Sequence, residues 1–179
     1  STDLGKSFWM AGDRKWGQEM QNDIEDGVQA LVEDGIADPE KLAIFGWSYG
    51  GYAAFVAATR NNDLFNCVVS GAGVSDLTRI RRGLSGSRFL RRYQEPTIAG
   101  VSPVDLASKV SVPMLIVHGD YDQTVPVEHS RRFVKGLEQA GADHQYIEIE
   151  DMGHSPQFFE QNMQWFPELF DFFDTKCGF

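Results

Sequence analysis

The sequence is poor in the features that mark several large protein classes. It holds two cysteines, Cys67 and Cys177, in 179 residues, too few and too far apart for a zinc or thiol-redox motif, so metal chemistry is not expected of it. Taken alone, the two read as small buried hydrophobes unless the compartment is oxidising. Long apolar runs are lacking: 113–117 is typical of the longest, far short of the ~20 residues that cross a bilayer, so no membrane span is expected. A basic surplus is lacking as well. With a net charge of -10, the field around the chain repels polyanions, which argues against nucleic acid or an anionic membrane as partner. The first residues do not follow the basic, apolar, small-residue order of a secretion signal, so any export signal is expected elsewhere. There is no internal repeat and no low-complexity tract.

What is present is the material of one globular domain, with 42% hydrophobic residues in a chain of single-domain length. Met20, Ile24, Val28, Leu31 and Val32 are spaced to lay an apolar stripe along a helix over 17–33, with Gly35 as its stop. The run 42–45, bounded by Asp38-Pro39 and Gly46, reads as a buried strand. The segment after Ser48 reads as a helix whose Ala53, Ala54, Ala57 and Ala58 let it sit close to a sheet. Further strands are expected over 67–72, 113–117 and 145–149, with a helix over 127–140 closed by Gly141. Strands alternating with helices predict an α/β fold built on a parallel sheet. The Phe- and Trp-rich segment 158–175 has helical spacing, broken or restarted at Pro167, and reads as core. The long connection 73–112 carries six arginines from Arg79 to Arg92 and a turn at Ser102-Pro103. Charge runs usually form exposed faces, so it is taken as a solvated helical insertion rather than a substrate-facing flap.

The stretch Gly46-Trp47-Ser48-Tyr49-Gly50 matches the G-x-S-x-G nucleophile elbow, a sharp strand-to-helix turn that lifts a serine oxygen above the sheet edge. The glycines stand where the turn has no room for side chains. A serine hydroxyl attacks at neutral pH only when a base takes its proton, and the base needs a carboxylate behind it. In this arrangement the partners follow in the order serine, acid, histidine, on loops past the carboxyl ends of strands. Past 113–117 come His118-Gly119-Asp120-Tyr121-Asp122, offering two aspartates, and past the last strand comes His154. His154 is therefore the expected base. His118 falls at a strand end, His144 opens a strand and His129 is read as lying on a surface helix, so all three are given structural or solvent roles.

These residues resemble the catalytic hydrolase domain of the prolyl oligopeptidase family of serine peptidases, which includes dipeptidyl peptidase IV-like and acylaminoacyl peptidase-like enzymes. The resemblance runs through Gly46-Trp47-Ser48-Tyr49-Gly50-Gly51-Tyr52, Leu64-Phe65, Val74-Ser75-Asp76, Ser102-Pro103, His118-Gly119, Asp122, Val125-Pro126 and Gly153-His154. It implies an α/β-hydrolase fold with helices on both faces of the sheet, one peptidase domain over 1–179, and no metal or organic cofactor. It makes Asp122, three residues before Val125, the acid that orients His154, with Asp120 second. The Tyr49 amide becomes an oxyanion donor. Val74, Val125 and the Tyr49 ring become walls of the pocket for the residue before the scissile bond. Leu77 and Ile80 stand where dipeptidyl peptidase IV-like enzymes have aromatic walls, which tells against strict proline preference. Cys67 and Cys177 fall near a paired disulfide of that branch. A bridge there would favour an exported protein, and free thiols would leave a cytoplasmic one equally open.

The resemblance also implies that strands preceding 42–45 are not represented, since 1–8 is similar to the family's segment after its fourth strand. Two expectations follow. The strand edge at 42–45 invites association with another copy or with the N-terminal portion of the domain. The family's second oxyanion donor, a tyrosine side chain, would lie in that portion, and losing such a donor costs ~10² to 10³ in turnover. The expected function is a serine peptidase acting on short peptides, of aminopeptidase, dipeptidyl peptidase or acylaminoacyl peptidase type. The alternatives are a carboxylesterase of the same fold and a non-catalytic fragment of a larger peptidase.

Overall fold

The structure, a computed structural model, describes residues 3–60 and 64–178; positions 1 and 2 of the segment 1–8 lie outside the described residues. The chain opens with helices α1 (Gly5–Ala11) and α2 (Glu19–Glu33), then runs through β1 (Ala43–Trp47), α3 (Tyr49–Thr59), β2 (Cys67–Gly71), α4 (Leu77–Gly83), α5 (Arg88–Tyr93), β3 (Met114–Gly119), α6 (Glu128–Ala140), β4 (His144–Ile149), α7 (Phe159–Asn162) and α8 (Phe166–Phe172). The four strands form one sheet in the order β1-β2-β3-β4, and every neighbouring pair is parallel. Strand ends differ from the sequence reading by one or two residues. β1 continues through Gly46 and Trp47 because these still pair with Ser70 and Gly71.

Side chains alternate between the two faces of the sheet, as strand geometry requires. On one face Val68, Met114 and Ile116 pack under Ala54, Phe55 and Ala58 of α3 and Phe133 and Leu137 of α6. On the other, Val69, Leu115 and Val117 meet Trp165, Leu169 and Phe172. Pro167 sits in the first turn of α8 and restarts the helix, since its missing amide hydrogen costs nothing there. α3 is buried from Gly51 to Thr59. A Cβ on Gly51 would come within 2.5 Å of the Gly71 carbonyl oxygen, so the small residues after Ser48 are what let this helix lie on β2.

α2 forms as its periodicity predicts, yet its stripe is only half covered. Val28 packs against the first core cluster, whereas Leu31 stays 45% exposed. Phe45, on the other face of the sheet against Trp165, is 49% exposed, so edge strand β1 is only partly covered and not the buried strand its apolar run suggests. At the opposite end, a π-helical turn, Phe173–Cys177, carries Cys177 back to the start of β2, where it forms a disulfide with Cys67.

His129 corrects the sequence reading. It lies on the buried face of α6, fully inaccessible, in line with Phe133 and Leu137. Its Nδ1 accepts hydrogen bonds from the amides of Ser75 and Asp76, both at 3.2 Å, and its carbonyl accepts one from the Ser75 hydroxyl at 2.6 Å. The ring thus pins the start of the insertion to α6. Burial pushes its pKa down to about 4, so the folded chain keeps it neutral while an unfolded imidazole takes a proton near pH ~6.5. Folding stability therefore falls as pH drops from roughly 6.5 to 4, by about 3 kcal/mol from this group. Urea midpoints of wild type and His129→Asn, taken across that interval, should diverge in slope, with the variant less sensitive to acid. Parallel slopes would refute the assignment.

Candidate active site

Ser48 sits between β1 and α3 with φ 60° and ψ −115°, a conformation that costs a non-glycine residue ~1 to 3 kcal/mol and persists only when its surroundings dictate it. Here they do. The Ser48 amide donates to the Gly71 carbonyl at 2.9 Å and its carbonyl accepts from the Tyr52 amide at 3.0 Å. A Cβ on Gly46 would stand 2.2 Å from the Gly50 carbonyl oxygen, which is why the position before the turn is glycine. No side-chain cap occupies the Ser48 hydroxyl, leaving it free for other partners.

Those partners arrive on the loops after β3 and β4. The two loops are tied by backbone bonds, Asp120 amide to Ile149 carbonyl and Tyr121 amide to Met152 carbonyl, each at 3.1 Å. The Trp47 indole donates to the His154 carbonyl at 2.7 Å, anchoring the histidine loop to the elbow. His154 Nε2 then lies 2.8 Å from Ser48 Oγ, and its Nδ1 lies 2.7 Å from Asp122 Oδ2. The three residues form one series. Asp120 is exposed and outside it.

Asp122 is buried and fully partnered. Its Oδ1 accepts from the amides of Thr124 at 2.8 Å and Val125 at 2.9 Å, closing a tight turn around the carboxylate. Burial opposes its ionisation, but the bonds from His118, His154 and these two amides outweigh it and hold the carboxyl below the usual aspartate range. The sequence gives His118 a structural or solvent role, and its contact with Asp122 cannot be read there. Its Nε2 lies 2.8 Å from the Val125 carbonyl and 3.3 Å from Asp122 Oδ2. Both are acceptors, so Nε2 carries the proton and Nδ1 accepts from the Ser130 hydroxyl at 2.7 Å.

Beside Ser48 opens a pocket of about 460 Å³. Tyr49, Val74, Ile80 and Val125 are in its lining. Leu77 is not; it is 4% exposed and packs in the cluster beneath, with Tyr52, Val56 and Ile98. Trp16 is a wall the sequence reading missed. Its ring meets Tyr49 edge-on at 4.7 Å, and nothing in the local pattern around it marks such a position. Burial raises the Tyr49 phenol to about 12, so it stays neutral and can donate, as it does to Met20 Sδ at 3.4 Å. The connection 73–112 also departs from its reading as a solvated insertion: Arg79, Leu84, Leu90, Gln94 and Ile98 all face the pocket.

All residues from 1 to 179 match the model of the prolyl oligopeptidase family. The chain belongs to that family. It is 30% identical to dipeptidyl peptidase family member 6 of Caenorhabditis elegans over 99% of its own length and 26% of that protein's. It is 32% identical to dipeptidyl aminopeptidase BIII of Pseudoxanthomonas mexicana over 86% of its length and 24% of the relative's. The structure of a puromycin-hydrolyzing peptidase from Mycobacterium tuberculosis superposes with a TM-score of 0.90 at 28% identity, covering 100% of this chain and 28% of that one. The prolyl oligopeptidase family and these relatives are serine peptidases, and the fold here is that of their α/β-hydrolase domain. The chain spans about a quarter of the length of the relatives it matches. Among the described residues, no helix is long and apolar enough to cross a membrane.

Proposed function

We propose that this domain cleaves short peptides as a serine peptidase, with Ser48 as nucleophile, His154 as base and Asp122 as the group that orients it. The observation that carries this reading is the unbroken series from Ser48 Oγ through His154 to Asp122, at 2.8 and 2.7 Å. With Nδ1–H held by Asp122, His154 Nε2 presents a lone pair to the serine hydroxyl. Ser48 Oγ attacks the peptide carbonyl as its proton passes to Nε2, and the carbonyl oxygen takes the negative charge. Tyr49 opens α3, so its amide is among those a helix leaves unpaired and serves as oxyanion donor. The tetrahedral adduct collapses when His154 returns the proton to the departing amine, leaving an acyl-serine. Water repeats the sequence through the same base and frees the acid.

Tyr49, Val74, Ile80 and Val125 form the walls for the side chain preceding the cleaved bond. The Cys67–Cys177 disulfide supports an oxidising, exported setting, and the exposed edge residue Phe45 supports pairing of β1 with another segment or copy. Initial rates on dipeptidyl amides, N-acylated aminoacyl amides and p-nitrophenyl esters test the reaction class. Cleavage of amides with a free or blocked N-terminus is expected and sorts the type of peptidase. Turnover confined to esters would replace this reading with a carboxylesterase.

A further inference from the structure

Among the described residues, the pocket beside Ser48 has one charged residue in its lining, Arg79, and no carboxylate. Arg79 is partly buried, and among the described residues its guanidinium has no hydrogen bond or ion pair. The acid nearest in sequence is already committed: Asp76 accepts from the Arg79 backbone amide at 2.9 Å and pairs with Arg132. Glu95, the other acid close by, pairs with Arg81 at 3.4 Å. The remaining walls are mostly apolar, including Trp16, Ile80, Leu84, Leu90 and Ile98. An unpaired cation beside such walls has few water dipoles to screen it and interacts more strongly with an incoming charge than it would on open surface.

The surroundings carry the same sign. The connection 73–112 has seven Lys and Arg residues against three Asp and Glu, a surplus of four cations on a chain whose net charge is -10. Arg81, Arg82 and Arg91 border a neighbouring depression with Glu95 as its one acid. The connection that carries Arg79 is thus locally cationic on a chain that is anionic as a whole.

We propose that Arg79 makes this a pocket for an acidic side chain, so that the preferred substrates carry glutamate or aspartate as the residue whose carbonyl Ser48 attacks. This rests on the peptidase reading for the cleavage, though not for the recognition. The guanidinium fork takes the side-chain carboxylate, bidentate where geometry allows, and the apolar walls take the methylene stem. Basic side chains at the same position are repelled. Ser48, Tyr49, Val74 and Arg79 line one cavity, which is the basis for assigning the selected side chain to the residue bearing the attacked carbonyl.

Binding of the product-like dipeptides Ala-Glu and Ala-Gln, measured by calorimetry on wild type and on Arg79→Met, tests the recognition without requiring turnover. The pair differs only in side-chain charge. Wild type should favour Ala-Glu by about tenfold, as one charge-assisted contact would give. The preference should vanish in Arg79→Met, persist in part in Arg79→Lys, and shrink with added salt. Equal binding of the two dipeptides by wild type, or a preference unchanged in Arg79→Met, overturns the proposal. Labelling of Ser48 by a fluorophosphonate, run on the same samples, reports on the nucleophile separately. A preference for Ala-Glu without labelling upholds the acidic pocket and removes the peptidase mechanism; labelling without the preference does the reverse.

Discussion

Ser48→Ala is expected to lower turnover by on the order of 10⁶, the full worth of a nucleophile that acts as one unit with its base. Stability should hardly change. The serine hydroxyl caps no helix amide, and alanine meets the same steric cost at φ 60° that serine already bears. The backbone bonds to Gly71 and Tyr52 that enforce the elbow do not involve the side chain. Intact mass after exposure to a fluorophosphonate gives the direct check: one adduct on the wild-type chain and none on the variant. Labelling of the variant would place the reactive group elsewhere. A folded wild-type sample that takes no label would show that the 2.8 Å approach of His154 to Ser48 is insufficient to activate the hydroxyl.

The second large effect concerns the fold rather than the chemistry. The Cys67–Cys177 bridge closes a loop of 110 residues, and in the chain-entropy description such a cross-link stabilises by ~4 to 5 kcal/mol through restriction of the unfolded state. Replacing both cysteines with alanine should lower the melting temperature by roughly 10 to 15 °C for a domain of this size. Alanine is the fitting replacement because both sulfurs lie in an apolar cluster with Trp165 and Phe172, where a serine hydroxyl would be stranded. Activity at 25 °C should survive. Cys67 is the first residue of β2, at the amino end of the sheet, whereas Ser48, Asp122 and His154 stand on turns at the carboxyl ends. Calorimetric melting beside a rate assay separates the two consequences. An unchanged melting temperature would mean that the bridge constrains nothing the core does not already constrain.

Much of this site is local in origin, and that part is legible in the chain. The elbow announces itself because its turn admits glycine alone at Gly46, where a Cβ would strike the Gly50 carbonyl. The small residues after it follow from the contact of α3 with β2. The order of serine, acid and histidine follows from a parallel sheet, which delivers each loop at the same edge. His129 was legible too and was misread. It stands four residues before Phe133 and eight before Leu137, all three on the buried face of α6, and helical periodicity outweighs the polarity of a single imidazole once Nδ1 has partners.

Other features have no local cause. Asp120 and Asp122 are equally placed by the residues around them, and the resemblance to the family favoured the second; what separates them in the fold is a set of bonds from His154, His118 and two amides. Trp16 reaches the pocket because its backbone pairs with Ala99 and Val101 and its ring meets Tyr49 and Tyr52 across the fold. Arg79 and Leu77 lie two residues apart on α4, yet one faces the pocket and the other the core, a difference set by how that helix rotates against its neighbours.

By itself, then, the sequence determined the alternation of strands and helices and the strained turn at Ser48, and it singled out His154 as the histidine proposed to serve it, because backbone sterics and hydrophobic period act over a few residues. The tertiary structure alone decided which side chains line the pocket, which second histidine touches Asp122 and that Arg79 stands in the pocket lining. Those depend on distances between segments up to a hundred residues apart, which packing sets and no local pattern encodes.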